Sequence, residues 1–563
     1  MAIERCPASC CLALVLNAAH APNCQYMSQK LPTHVVSRRS VQRLRLDELP
    51  ERESDRETCT SGRADMAGGV CPVAGDGHVQ RGRPRADQTG HACGGIVALA
   101  SPDLRRRDGS GQCPGLDVRD PAPAGAGQQD TVVPIESSRP VLPASVFTGP
   151  LTGGGHTLLR FNEDWCSVQP APNAGFIERA ALRTKCILLY SLSDSYVTFS
   201  GQERFKLAYE KTAILTGYGK PDQTLVFLRH QFGADVHVSP YFRAFAEIIG
   251  GTLGGWNIPA FSPRQRNTLD LEELFVEPML PLPGGGKIGI RVGREKYFFG
   301  NGLIVSSQPV PNIEQTFNGA HAYYQNTFLR VDAFAAHATT YEAGSFNDRS
   351  TDRNRLWGVY ASAALPRYST VGLNLDPFLI RLRQSNARYN GFSGDDSRYT
   401  LGARLWGEAG PFSVDWTLAH QTGRLGTGNV SANAAFINTA YVFDALPNKP
   451  QLGGRFDFMS GGRTNNTVHT WNPVYLRPEY FTPFGFLAGS NLVDFGPTAS
   501  IDFPAEKVRL EASYLWFYRQ STADAIYGAN FVPLPRSHAA QGNSFLAQQG
   551  GSELAGTPPP TCR

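Results

Sequence analysis

The stretch Ser195-Tyr-Val-Thr-Phe-Ser-Gly-Gln-Glu-Arg-Phe-Lys-Leu-Ala-Tyr209 alternates with a period of two. Val197, Phe199, Phe205, Leu207 and Tyr209 fall on one face, and Thr198, Ser200, Gln202, Arg204 and Lys206 on the other. Successive side chains of a strand point to opposite sides of its sheet, so this is a strand with one apolar and one polar face. Two later stretches repeat the pattern. Phe412, Val414, Trp416 and Leu418 stand against Ser413, Asp415, Thr417 and Gln421. Val508, Leu510, Ala512, Tyr514, Trp516 and Tyr518 stand against Arg509, Glu511, Ser513 and Arg519. Further strands are expected at 241–249, 268–276, 287–293, 328–337, 397–407 and 451–459. Turn-rich linkers separate them at Gly250-Gly251, Pro283 to Gly286, Asn390 to Ser397 and Gly461 to Asn466.

The apolar faces need a partner, and composition narrows what it is. Hydrophobic residues make up 41% of the chain, aromatics 10%, and the mean hydropathy is −0.27. No run of about 18 apolar residues occurs, which excludes a bundle of membrane-spanning helices. A barrel strand meets lipid with only every second residue, so its mean hydropathy stays low while aromatics accumulate. A soluble sandwich packs one face of each sheet and has no use for aromatic ends on so many outward rows. A propeller repeat of roughly 40–50 residues is absent. At roughly 20–24 residues per strand with its turn, the stretch from 195 to 535 holds roughly 14–18 strands. The sequence therefore reads as all-β: an antiparallel transmembrane β-barrel of porin type over residues 155–535. Tyr241, Trp256, Trp357, Trp406 and Trp516 near strand ends suit an interfacial girdle or ordinary loop packing.

The flanks differ from the body. Residues 1–150 hold Cys6, Cys10, Cys11, Cys24, Cys59, Cys71, Cys93 and Cys113, abundant arginine, and Gly, Pro and Ala without period. Such composition buries no core. The segment reads as a disordered extension or as translation of a shifted frame, the second being favoured. Arg5, the apolar run Leu12 to Leu16 and Ala19-His20-Ala21 outline a weak secretory signal. The early cysteines lack the paired spacing of a zinc site, and neither a metal nor a cofactor is expected. Residues 536–563 read as an irregular tail ending Pro-Pro-Pro-Thr-Cys-Arg563. The barrel is therefore expected to be incomplete at its C-terminal end, and bare strand edges are not tolerated in lipid.

Enzyme readings are weak. Gly284-x-Gly286-x-x-Gly289 matches a dinucleotide fingerprint, but it joins two expected strands and opens no helix, so no phosphate cradle forms. No catalytic residues are assigned, and no enzyme is expected. The net charge of +4 gives no reason to expect nucleic acid. What remains is the polar face of the strands. The residues expected to line a pore are Arg204, Lys206, Arg243, Arg291, Arg294, Arg398, Arg404, Arg455 and Arg509, with Arg330 on the same kind of face. Guanidinium stays charged, matches carboxylates with a planar fork and sheds water readily, which suits passage of an anion. Glu247, Asp332, Asp415, Asp457 and Glu511 are interleaved with them. These acids would loosen binding enough for release. The alternative is that the charges are inter-strand ion pairs that stiffen the interior.

Six pieces in order resemble the alginate export family of outer-membrane barrels: Arg160-Phe-Asn-Glu-Asp-Trp165, Arg291-Val-Gly-Arg-Glu-Lys-Tyr-Phe-Phe-Gly-Asn-Gly302, Phe317-Asn-Gly-Ala320, Arg398-Tyr-Thr-Leu-Gly-Ala-Arg404, Trp471-Asn-Pro-Val-Tyr475 and Ser490-Asn-Leu-Val-Asp494. The chain departs from that pattern at Glu295-Lys296, where the family usually has Gln-Glu. It departs again at Leu303, in place of a common arginine, and at Asn318, in place of Asp. The resemblance implies a channel in a Gram-negative bacterial outer membrane that passively exports an anionic polysaccharide such as alginate. Its surroundings would be outer-membrane lipid and periplasmic export partners. Two other functions stay open: a general porin for small anionic solutes, and a surface scaffold that does not conduct.

Overall fold

The computed structural model describes residues 12–17 and 140–556, apart from 149–150, 154–155, 167, 169–174, 190–193, 211–221, 259–261, 483–484, 486, 504–507, 529–530 and 535–542. They belong to a unit made of Met1–Tyr26 and Pro134–Arg563. The early cysteines, and the disorder or frame shift expected of residues 18–139, lie outside the described residues. Leu12–Asn17, the apolar run of the expected secretory signal, is a strand that pairs antiparallel with Arg204–Tyr209.

Among the described residues, sixteen long strands follow one another as an antiparallel meander within one sheet. They are β1 (Tyr196–Glu210), β2 (Gln223–Ser239), β3 (Phe242–Trp256), β4 (Asn267–Pro281), β5 (Lys287–Glu295), β6 (Phe317–Gln325), β7 (Leu329–Thr340) and β8 (Arg349–Ala364). The rest are β9 (Val371–Tyr389), β10 (Phe392–Ala409), β11 (Phe412–Leu425), β12 (Gly428–Val442), β13 (Gln451–Met459), β14 (Leu492–Phe503), β15 (Val508–Arg519) and β16 (Phe545–Gly556). Among the described residues no helix is long and apolar enough to cross a membrane. The crossing is made by strands.

The wall is inside out compared with a soluble protein. Phe205, Leu207, Leu274, Val276, Ile288, Ile290, Val292, Val359, Leu379, Leu401, Leu418 and Phe456 are exposed, while Arg204, Lys206, Arg243, Glu277, Arg291, Asp376, Arg398 and Asp457 are buried. Alternation puts the first set outward and the second inward, as a lipid-facing barrel requires. A polar pair interrupts the outward band: Glu203 and His230 stand directly opposite on β1 and β2 and bond to each other.

The connections sort by length. At one end they are brief, from residues 240–241 and 326–328 to 443–450. At the other end they include 211–222, 296–316, 460–491 and 520–544. Outer-membrane barrels keep short turns in the periplasm and long loops outside, which orients this one. Even so, two hairpins at the loop end are tight. Asn390 and Gly391 take φ of +52° and +79°, the left-handed pair that a two-residue turn matching strand twist needs.

Four expectations are corrected here. Gly250-Gly251 is no linker but lies inside β3. A Cβ on Gly251 would stand 3.0 Å from Asn312, so glycine there lets an inserted loop lie against the wall. Of the linker expected from Asn390 to Ser397, only the first two residues turn, and the rest belong to β10. The tail expected to be irregular from 536 contains β16, which pairs along β15 from Val508↔Gly556 to Tyr518↔Phe545. Its residues opposite the outward Trp516, Tyr514 and Ala512 are Gln548, Gly550 and Ser552, so apolar alternation is missing although the strand is present. The barrel strands thus begin at 196 rather than near 155, and the segment before them has another place.

Candidate functional site: a cation-lined cavity between inserted segments

Among the described residues, three of the chain segments that leave the wall and enter the interior build the site. The first is 140–165. Leu142 N–H donates to Thr327 O in a short turn (2.8 Å), which fixes this segment at the periplasmic end. Phe161 is wholly buried between Phe245 and Phe275, with ring centroids at 5.6 and 5.1 Å, both edge-on. The Arg243 guanidinium donates to Phe161 O, and Arg330 Nη1 donates to Val146 O and Phe147 O at 3.3 Å each. The Arg160-Phe-Asn-Glu-Asp-Trp165 motif closes on itself. Arg160 meets Glu163 at 3.2 Å, and Trp165 Nε1 donates to Glu163 Oε2 at 2.6 Å. Burial pushes the Glu163 carboxyl up, but His156, Arg160 and Trp165 outweigh it and hold the group at about 2. A disulfide between Cys166 and Cys186 then joins this segment to the start of β1, as an oxidising compartment permits.

The second segment is 296–316, which continues the Arg291–Gly302 motif. Gly302 has φ +74°, and a Cβ there would meet the Phe298 ring at 2.6 Å; the turn from Phe299 needs that glycine. Lys296 enters the interior beside Glu247 (2.7 Å) and Glu273 (3.2 Å), with Glu272 and Glu314 at 3.8 Å each. Burial lowers the ammonium, yet the four carboxylates overcome it and hold it charged well above the usual lysine range. Leu303, in place of the family's arginine, is buried in an apolar cluster with Tyr297, Phe299, Val305, Trp471 and Phe481.

The third segment, 460–491, docks on the second through Ser306 N–H to Tyr475 O (2.9 Å) and Tyr475 N–H to Ile304 O (3.1 Å). Asn472 N–H donates to Gln421 Oε1 of β11 at 3.0 Å, and Gln421 Nε2 donates back to Asn472 O at 2.7 Å. Ser490 Oγ donates to Trp471 O at 2.6 Å. The motif residues seen in the sequence are therefore mostly latches for these two loops.

A cavity of about 220 Å³ remains between the segments. Arg291, Lys296, Arg330, Arg404 and Arg477 line it, against Asp332 and Asp376, with Tyr360, Asn301 and Trp406 alongside. Arg404 Nε and Nη2 donate to Asp415 at 2.7 and 2.9 Å, its Nη1 to Asp376 at 3.3 Å, and its guanidinium stacks 4.6 Å over Trp406. Arg291 is held between Glu277 and Glu295, and Arg330 by Asp332. His321 bridges Glu295 and Asp332 at 3.2 and 3.0 Å. Arg477 differs. Among the described residues no carboxylate pairs with it directly; Glu479 meets its charge at longer range, and its buried Nε has no acceptor.

The expected pore residues thus separate. Arg291 and Arg404 line the cavity, whereas Arg243 is not among its lining residues and is buried on Phe161 O and Glu277. Arg204, Arg398 and Arg455 point inward but are spent on the inserted loops: Arg204 on Pro309 O, Pro311 O and Asn312, Arg398 on Thr470 O, Arg455 on Tyr480 O. Lys206 is buried on the same face, 5.7 Å from the Phe227 ring. Arg509 is inward and half-exposed, paired with Asp502 and Glu511. Arg294 is a correction. It shares the outward face of Val292, and bonds to Leu271 O, Asn318 and Asp348 O rather than to the lumen. Asn318, where the family has Asp, is its cross-strand neighbour. Arg477 escaped sequence reasoning. Arg477 lies in an irregular loop, where parity says nothing, and only the preceding Trp471–Tyr475 motif pointed near it.

Among solved structures the chain is similar to a BenF-like porin from Pseudomonas fluorescens Pf-5, with 11% identity and a TM-score of 0.34 over 59% of this chain and 96% of that one. It is also similar to OccK5 (OpdH) of Pseudomonas aeruginosa, with 13% identity and a TM-score of 0.39 over 64% and 87%. OprB of Pseudomonas putida is a third, with 12% identity and a TM-score of 0.34 over 57% and 89%. Nothing among curated proteins matches the chain. The family model described as alginate export matches residues 195–551, the stretch that carries the meander and both inserted loops, and the chain belongs to the alginate export family.

Proposed function

We propose that the barrel passes an anionic polysaccharide of the uronate class, alginate-like, from the periplasm outward, with its cavity arginines as carboxylate stations. The chain is a channel of the bacterial outer membrane by family and architecture; the substrate and the arginine path are our reading. The observation that carries it is Arg477. A guanidinium facing a cavity with no ion-pair partner among the described residues is costly unless an anion visits it. Arg404 beside it is tethered to two carboxylates and stacked on Trp406, a surface that suits a sugar ring and a carboxylate together. Paired arginines bind anions loosely, and one met only at longer range by Glu479 binds more tightly, a gradient that lets a polymer enter and leave. Passage is passive and requires the segment at 140–165 to move aside. Periplasmic export proteins would deliver the chain to that end.

The reversal potential of the refolded protein in a planar bilayer under a salt gradient tests this. Clear anion selectivity is expected, with block by added polyuronate. Arg477→Gln should weaken that block about tenfold, the scale of one charge-assisted bidentate contact. Unchanged block in this variant removes Arg477 from the path. The cavity of about 220 Å³ also favours a second reading, a porin for single small anions. Under that reading a monomeric uronate blocks as well as the polymer at equal carboxylate concentration.

A further inference from the structure

The outer wall carries a row of basic side chains that the channel does not use. On β7, β8, β9 and β11, His337, Arg355, Arg383 and Arg424 lie in one cross-strand register: His337 is opposite Arg355, Arg355 opposite Arg383, and Ser397 of β10 joins Arg383 to Arg424. All four share the outward parity of Val359, Leu379, Leu401 and Leu418, whose exposed side chains form the apolar band closer to the periplasm. Neighbouring strands lie about 5 Å apart, so the three guanidiniums span about 15 Å. One residue pair nearer the band stands Trp357 opposite Arg381, with Tyr399 on its other side. The Arg381 guanidinium lies 5.7 Å from the Trp357 ring and 5.0 Å from that of Tyr399. An aromatic girdle with cations directly outside it marks the membrane–water boundary at the loop end.

Like charges directly opposite on adjacent strands repel. Here Arg355 and Arg383 face each other with side chains 46% and 52% exposed. Each has one acidic neighbour at 3.1 Å, Asp352 and Asp395, on solvent-exposed partners that contribute little. Arg381 and Arg424 have no ion pair among the described residues. A divergent fork of guanidiniums at the outer-leaflet headgroup level matches the geometry of a phosphate, which takes two or more N–H donors from arginine. We propose that this row binds the phosphate of a phosphorylated glycolipid of the outer leaflet and so fixes that side of the barrel in the membrane. The commitment is to the lipid, because the row continues into an apolar wall that acyl chains would cover and a free anion would not.

The test uses full-length protein in detergent, with native mass spectrometry counting the lipid retained. Bisphosphorylated lipid A, the same lipid stripped of both phosphates, and inorganic phosphate alone are offered in turn. Bisphosphorylated lipid A should be retained at least about tenfold better than the stripped form. Arg355→Gln with Arg383→Gln should remove most of that difference, while Lys449→Gln, at the periplasmic end, should leave it intact. Asp395→Asn takes away a competitor for Arg383 and should raise retention about threefold; it keeps the proposal testable if the double variant fails to fold. Equal retention of stripped and phosphorylated lipid, or no gain in Asp395→Asn, overturns the proposal. Inorganic phosphate that competes fully at equal concentration overturns the lipid as the source.

Discussion

Arg398→Met will destabilise the refolded barrel by about 3–5 kcal/mol, the range for leaving half of a buried ion pair unpartnered. Arg398 is wholly buried. Its Nε donates to both Asp396 oxygens at 2.9 and 3.1 Å, Nη1 reaches Gln421 Oε1 at 2.8 Å and Thr470 O at 3.2 Å, and Nη2 meets the Tyr389 hydroxyl. The guanidinium fastens the 460–491 loop to β9, β10 and β11 at once. Removing it strands the Asp396 carboxylate among Tyr389, Asn472 and the loop backbone. Adding Asp396→Leu should recover most of the loss, because an apolar pair of similar volume replaces a charge left alone. Urea unfolding in micelles measures both variants. Arg398 does not line the cavity, so anion selectivity in folded Arg398→Met should equal that of the parent. A loss below about 1 kcal/mol would mean that the loop is not held there.

Where the inward residues are polar, as at Arg204 and Lys206 of β1 or Asp415 and Thr417 of β11, alternation in the sequence reports the strand directly. It fails in β9. Phe378-Leu379-Ile380 is apolar on both faces, because Phe378 and Ile380 pack into the buried cluster that the inserted loops share rather than against water. A period of two disappears when the lumen is filled. It fails again in β16, whose outward Gly550 is covered by Tyr514, with the ring 3.4 Å from where a Cβ would stand. Parity identified the inward arginines, yet not what each one meets. Arg404 and Arg398 are indistinguishable by pattern, and only the path of the 460–491 loop makes one a cavity residue and the other a fastener. Arg294 is polar, yet its parity is that of the exposed Ile290 and Val292, so its face is the outer one. Arg477 needed the folded loop to bring it into the lumen.

Phe161→Ala is expected to raise the open probability of the channel by about a hundredfold or more. Burial of this ring between Phe245 and Phe275 is the main apolar anchor of the 140–165 segment, and loss of such a ring costs about 3–5 kcal/mol. At 1.4 kcal/mol per tenfold, that shift in the docking equilibrium gives the stated factor, provided the strands themselves are unaffected. They should be, because the segment meets the wall through side chains and backbone carbonyls rather than as a rung of the ladder. Single-channel recording gives the open probability, and trypsin gives an independent readout: cleavage after Arg160, buried in the parent, should appear with opening. Acid should not mimic the variant at moderate pH. The Glu163 carboxyl is depressed to about 2 from an ordinary 4.5, so its contribution is complete above 4.5 and fades as pH falls through about 2. The parent channel should therefore be as closed at pH 5 as at pH 7. Phe161→Ala with unchanged conductance and no new cleavage would show that the segment stays docked through Arg243 and Arg330 alone, and the barrier to passage would then lie in the two inserted loops.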